Sequence, residues 1–178
     1  PSAPAKLSIT DSDHIRGNKN APVVMVEFSD LECPFCSRHH PTMQSIINKY
    51  GDKVAWVYKH YPLSFHPQAM PAALASECAS EQGKFWEFTD AVFAEQPRLS
   101  EPNFIKEVAQ KLKLNISKFD SCVSSQKYKD KIAAQQQEGT SNGVDGTPAT
   151  FINGQLVSGA VPEANLTQLI DAALAGAK

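Results

Sequence analysis

The sequence predicts an α/β fold interrupted by an all-helical insertion, and three observations carry that reading. Val23-Val24-Met25-Val26-Glu27-Phe28 is a nearly continuous run of strand formers, the pattern of a central strand covered on both faces. Residues 63–142 show helical spacing only. Strand character then returns at Ala149-Thr150-Phe151-Ile152 and, across Asn153-Gly154, continues as Gln155-Leu156-Val157. An Asn-Gly pair between apolar runs is a strong hairpin signal, because both turn positions need positive φ.

Taken in order, residues 1–20 read as a polar arm, with Leu7-Ser8-Ile9 as a short edge strand. After the first core strand, Met43, Ile46, Ile47 and Tyr50 fall on one helical face and Gly51 stops the helix. Pro34 suits the first helical position, where its missing N–H costs nothing, whereas Pro41 is expected to kink the helix. Val54–Lys59 is a second strand, ended by Tyr61-Pro62, and completes a right-handed β-α-β unit. The insertion holds an Ala-rich helix over 72–79, then Phe85/Phe88/Val92 and Phe104/Val108/Leu112 stripes, then a polar stretch over 128–137 closed by Gly139. Leu166, Leu169, Ile170, Ala173 and Leu174 form a C-terminal amphipathic helix. Residues 21–62 and 143–178 thus make one discontinuous α/β domain around a helical domain over 63–142.

Composition narrows the function. The 178 residues carry 17 Lys+Arg against 19 Asp+Glu, a net charge of −2, which argues against a general nucleic-acid binder. No apolar run approaches the roughly 20 residues of a spanning helix. The start, Pro1-Ser2-Ala3-Pro4-Ala5-Lys6, fits the sequel of a signal cleavage, so export is an expectation, although a truncated chain reads the same way. There are four cysteines, two of them in Cys33-Pro34-Phe35-Cys36.

That Cys-x-x-Cys has three readings: a structural pair, half of a metal site with His39 and His40, or a thiol–disulfide couple. Zinc accepts such ligands, but Cys33 and His40 lie about 10 Å apart along one helix, too far to share an ion easily. Thiol exchange fits the local physics better. A thiolate at Cys33 faces the unpaired N–H groups and the positive dipole end of the helix, which lowers its pKa. Cys36, one turn further in, is the less exposed thiol. A bond between them closes so short a loop that it is worth only about 2 kcal/mol on the loop-entropy model, so it can cycle.

Together with Gly146-Thr147-Pro148-Ala149-Thr150-Phe151-Ile152-Asn153-Gly154, this motif resembles the thioredoxin superfamily, and the long helical insertion narrows the resemblance to the DsbA-like thiol–disulfide oxidoreductases. The resemblance implies a thioredoxin-like fold, Cys33 as nucleophile, Cys36 as its buried partner, a cis Pro148 facing the site, and Thr147 binding an extended substrate beside Pro34 and Phe35. It matches Glu27 to the buried acid beneath the cysteines; from the residues alone, Glu27 is either solvent-facing or a buried proton acceptor. Phe35 stands where the founding member has His, and Thr147 where it has Val. Cys78 and Cys122 are either free buried thiols or a pair. Some DsbA-like branches bear such a second bridge, and here it would close about 45 residues and add about 4 kcal/mol. A lasting disulfide implies an oxidising compartment.

The resulting expectation is an exported, periplasmic-type monomer without cofactor or metal, which oxidises cysteines of unfolded or partly folded exported proteins and is re-oxidised by a membrane partner. A reductase or isomerase, or a Cys/His metal-binding module, is the alternative. Asp30 and Glu32 are read as solvated loop acids, which would raise the Cys33 pKa if placed near its thiolate, His39 and His40 as surface or partly packed, and His60 and His66 as structural.

Overall fold

The computed structural model describes residues 5 and 7–176; most of the N-terminal segment from which export is expected, and the last two residues of 143–178, lie outside it. Five strands, β1 (His14–Gly17), β2 (Val23–Ser29), β3 (Val54–His60), β4 (Ala149–Ile152) and β5 (Gln155–Ser158), form one sheet in the order β1-β3-β2-β4-β5. β2 and β3 are parallel, joined through α1 (Pro34–Tyr50), and the other pairings are antiparallel. Between β3 and β4 run α2 (Ala69–Ser80), α3 (Phe85–Ala94), α4 (Phe104–Lys111), α5 (Ile116–Ser124) and α6 (Lys129–Ser141), and α7 (Glu163–Gly176) closes the chain. This is the thioredoxin-like fold with helices inserted.

Side-chain alternation on β2 explains the layers. Val23 and Met25 face a buried cluster that continues through Trp56 and Tyr58 of β3 into Phe88, Phe104, Leu166 and Ile170, so sheet and inserted helices share apolar contacts without a break. Val26 and Phe28 point to the opposite face, against Val57, Tyr61, Val144 and Phe151. At the β4–β5 turn Asn153 (φ 45°) and Gly154 (φ 86°) both take positive φ, as a two-residue hairpin requires.

Two local expectations are corrected. The edge strand is His14–Gly17, not Leu7–Ile9. Its anchors are polar: the His14 ring stacks on Phe85 at 3.4 Å, and the Arg16 guanidinium lies 4.4 Å from the centre of the Trp86 ring while reaching Asp90 at 2.8 Å. Gly139 does not close α6; it lies inside the helix, where a Cβ would sit 2.9 Å from both the Phe28 and Tyr61 rings.

Cys78 and Cys122 form a disulfide joining α2 to α5. Across a sequence separation of 44, the bond stabilises the fold by about 4 kcal/mol on the loop-entropy model. Cys78→Ala/Cys122→Ala is expected to lose about that much in urea denaturation while keeping exchange at Cys33–Cys36. Gly139→Ala gives a sharper test of packing. Helix propensity alone predicts a gain of about 1 kcal/mol, and the clash predicts a loss of about 1–3 kcal/mol. A net loss is expected from the denaturation midpoint.

Candidate active site

Both cysteines lie where β2 feeds α1. Cys33 is the N-cap of the helix, in extended conformation (φ −72°, ψ 122°), and no side chain caps it, so the first-turn N–H groups are left to its sulfur. Its amide donates to Asp30 O at 3.1 Å, closing the turn that reverses the chain out of β2. Antiparallel pairing of Phe28 with Ala149 sets the start of β4 beside this turn. The Thr147–Pro148 peptide is cis, and Thr147 O accepts from Cys33 Sγ at 3.4 Å. Cys33, Cys36, Thr147 and Pro148, up to 115 residues apart in sequence, therefore meet at one end of the sheet. Pro34 and Phe35 remain exposed on the rim, with the Arg38 guanidinium 4.7 Å from the centre of the Phe35 ring.

The two thiols, both free here, are electrostatically unlike. The Cys36 thiol, hydrogen-bonding to Cys33, pulls the Cys33 pKa down most; burial opposes this, and the Thr147 hydroxyl and the amides of Cys36 and Phe35 add to the lowering, to about 5. Cys36 is fully inaccessible and goes the other way, raised well above the usual thiol value by burial first and by Cys33 and Glu27 next. Asp30 N donates to Cys36 Sγ at 3.4 Å.

Glu27 is fully buried on the same sheet face as Trp56 and Tyr58. Neither of its oxygens closes a hydrogen bond, and Ser29 Oγ, Trp56 Nε1 and Tyr58 Oη nearby are likewise buried without partners. Burial raises the Glu27 pKa to about 7 against a weaker downward pull from Ser29 and Trp56. A buried carboxyl that holds its proton near neutrality can trade it with a neighbouring thiol.

A family model described as thioredoxin matches residues 9–172. The chain belongs to the thioredoxin family. Within it, the chain is a DsbA-like thiol–disulfide oxidoreductase. It is similar to Wolbachia pipientis α-DsbA1, at 26% identity and TM-score 0.84, covering 96% of this chain and 95% of that one. It is also similar to a periplasmic thioredoxin-like protein from Salmonella enterica serovar Typhimurium, at 27% identity and TM-score 0.76, covering 92% and 91%. In sequence it is 34% identical over 169 residues to Na(+)/H(+) antiporter NhaA 3 of Salinispora tropica, covering 94% of this chain but 26% of that protein. The chain thus spans about a quarter of the length of the curated relatives it matches.

Several polar residues of this oxidoreductase lie elsewhere than the sequence suggests. Asp30 is not solvated: it is buried and accepts from Leu63 N at 2.9 Å, His66 Nδ1 at 2.8 Å and Glu32 N at 2.8 Å. Glu32 accepts from Gln68 N. Both acids are spent on fastening the 62–68 loop, and neither is among the leading influences on Cys33. His39 and His40 are buried rather than superficial, with Nε2 of His39 on Thr150 Oγ1 (3.2 Å) and Nε2 of His40 on Asp90 (2.7 Å). Among the described residues no group of three or more His, Cys, Asp or Glu side chains is placed to hold a metal. His60 and His66 serve structure, His60 on Glu77 and His66 on Asp30.

Two residues went unmarked in the sequence. Phe65, on the loop held by Asp30, is 73% exposed, and its only signal was an aromatic in a polar stretch. Gln96 donates from Nε2 to Leu31 O at 2.8 Å and Cys33 O at 2.9 Å, a contact across more than 60 residues that no local pattern announces.

The Glu27 shift predicts a pH dependence. Between its ordinary 4.5 and about 7 the folded chain holds a proton that the unfolded chain has released. The contribution is therefore fully present below the unfolded value and lost as pH rises through the folded one, a fall of about 3 kcal/mol. Denaturation of reduced wild type and Glu27→Gln from about pH 4 to about pH 8 should show the stability difference moving by that amount in favour of the variant. An unchanging difference means that Glu27 titrates as if in water.

Proposed function

We propose that this oxidoreductase acts as an oxidase, donating a Cys33–Cys36 disulfide to cysteines of unfolded or partly folded exported proteins. One observation carries the reading: the Cys33 sulfur lies at the uncapped start of α1 with its pKa pushed down to about 5. Stabilising the thiolate stabilises the reduced enzyme, and a couple whose reduced form is stabilised is an oxidant.

In the proposed cycle a substrate thiolate attacks Cys33 Sγ. The Cys33–Cys36 bond breaks, and its electron pair leaves on Cys36 Sγ, which takes up a proton supplied by Glu27. A second substrate thiolate then attacks the substrate sulfur of the mixed disulfide. The substrate disulfide forms, and the electron pair leaves on Cys33 as a thiolate held by the amides of Phe35 and Cys36. Two electrons have passed from substrate to enzyme. A membrane partner in the oxidising compartment then takes them and restores the disulfide. Thr147 and Pro148 line one side of the incoming chain and Pro34 and Phe35 the other. The lasting Cys78–Cys122 bond agrees with an exported location.

Equilibration with glutathione tests the direction of the reaction. The expected potential lies well above that of thioredoxin, and a value near thioredoxin's, about −270 mV, overturns the oxidase reading in favour of a reductase. Cys33→Ser is expected to abolish exchange, whereas Cys36→Ser should accumulate a mixed disulfide through Cys33, read by mass spectrometry under non-reducing conditions. A fully active Cys33→Ser refutes the mechanism.

A further inference from the structure

We propose that Gln96, reaching out of the inserted helices into the turn between β2 and α1, is a positioning residue for thiol–disulfide exchange at Cys33. A carboxamide nitrogen carries two protons, and here both are used: Gln96 Nε2 donates to Leu31 O at 2.8 Å and to Cys33 O at 2.9 Å. These two carbonyls bracket the turn that sets the direction of the first turn of α1. Leu31 lies outside both strand and helix, and Gln96 is the donor its carbonyl meets among the described residues. Cys33 O is also the first acceptor of the helix, taking Ser37 N at 3.1 Å. Gln96 therefore grips the peptide at which the thiol-bearing residue passes into helix.

Local bonds also hold this turn, with Cys33 N on Asp30 O and Glu32 N on Asp30 Oδ1, but they leave Leu31 O to Gln96. Cys33 is an N-cap without a side-chain cap, so the orientation of the amides of Phe35 and Cys36 towards its sulfur depends on how the turn is held, from within by Asp30 and from outside by Gln96. A thiolate gains from those amides only while they point at it. The donor itself sits on a fixed platform. Gln96 opens a short 3-10 turn (Gln96–Ser100) with Pro97 next and Leu99 buried, and Arg98 ties that turn to Glu95, Glu101 and Glu107. Three residues earlier Phe93 O accepts from Ser37 Oγ at 3.2 Å, a second tie between the same two segments. The inserted helices thereby set the reactivity of a thiol that they do not carry.

The inference rests on Cys33 being the attacking thiol, and the experiment separates the two claims. The rate of iodoacetamide alkylation of Cys33 against pH, and the equilibrium with glutathione, are measured for reduced wild type, Gln96→Met, Gln96→Asn and Arg98→Ala, each with its denaturation midpoint. Gln96→Met keeps length and loses both donors; its alkylation profile is expected to move to higher pH and its glutathione equilibrium to shift at least about threefold towards the disulfide form. Gln96→Asn, with its donors withdrawn by one methylene, should fall between the two and is the readout if Gln96→Met does not fold. Arg98→Ala, which loosens the platform and leaves both donors, should move the midpoint more than the profile. Unchanged profile and equilibrium in folded Gln96→Met, with only the midpoint lowered, make Gln96 a structural tie and overturn the proposal. A wild type whose Cys33 titrates like a free thiol overturns the reading of Cys33 instead.

Discussion

The pairing of β2 with β4 is the constraint on which the chemistry depends. It joins segments separated by the whole inserted helical stretch, and its antiparallel sense puts the end of one strand beside the start of the other. The turn carrying Cys33 and the peptide before Pro148 are consequently neighbours by construction, and Thr147 O comes within reach of Cys33 Sγ. A slip of one residue would turn every β4 side chain to the opposite face, and the buried aromatics on both sides of the sheet forbid it.

Around that junction the molecule treats its polar groups in two ways. On the active-site face, Glu27, Ser29, Trp56 and Tyr58 are buried with polar atoms left free, a costly arrangement. At the sheet edge the opposite holds. Glu77 is buried, which pulls its pKa up, but hydrogen bonds from His14 and His60 outweigh burial and hold it well below the carboxylate range, with Lys131 on its other oxygen. The first group leaves buried polar atoms unpaired, and the second holds β1 and β3 to α2 and α6.

What was legible in the sequence follows the same division. Signals carried by neighbours in the chain were readable: the Cys-x-x-Cys at a strand-to-helix junction, the β2 run, the Asn153-Gly154 turn and the helical stripes each declare themselves within a few residues. Glu27 could be narrowed only to two options, because an acid in an apolar run looks the same buried or exposed until β3 is placed against it. Asp30, Glu32, His39 and His40 misled because hydrophilic letters suggest solvent, while their partners at Leu63, His66, Gln68, Thr150 and Asp90 come from other elements. The same reason hid β1, whose anchoring side chains are a histidine and an arginine, and Gln96, whose acceptors are backbone atoms without a sequence signature.

Strand β5 forms one edge of the sheet, and it is mostly exposed. An open edge offers unpaired amides and carbonyls to any extended chain that drifts past. On the proposed function, in which the partners are unfolded polypeptides, such an edge would be a hazard, since a client captured as an extra strand would be held rather than released. β5 is only four residues long, begins with Gln155 and ends at Ser158, and is followed by Gly159 in left-handed conformation and then Pro162. So short and abruptly broken an edge gives a passing chain few rungs to climb, which leaves the sulfur bond, made and then broken, as the tether that decides how long a client stays.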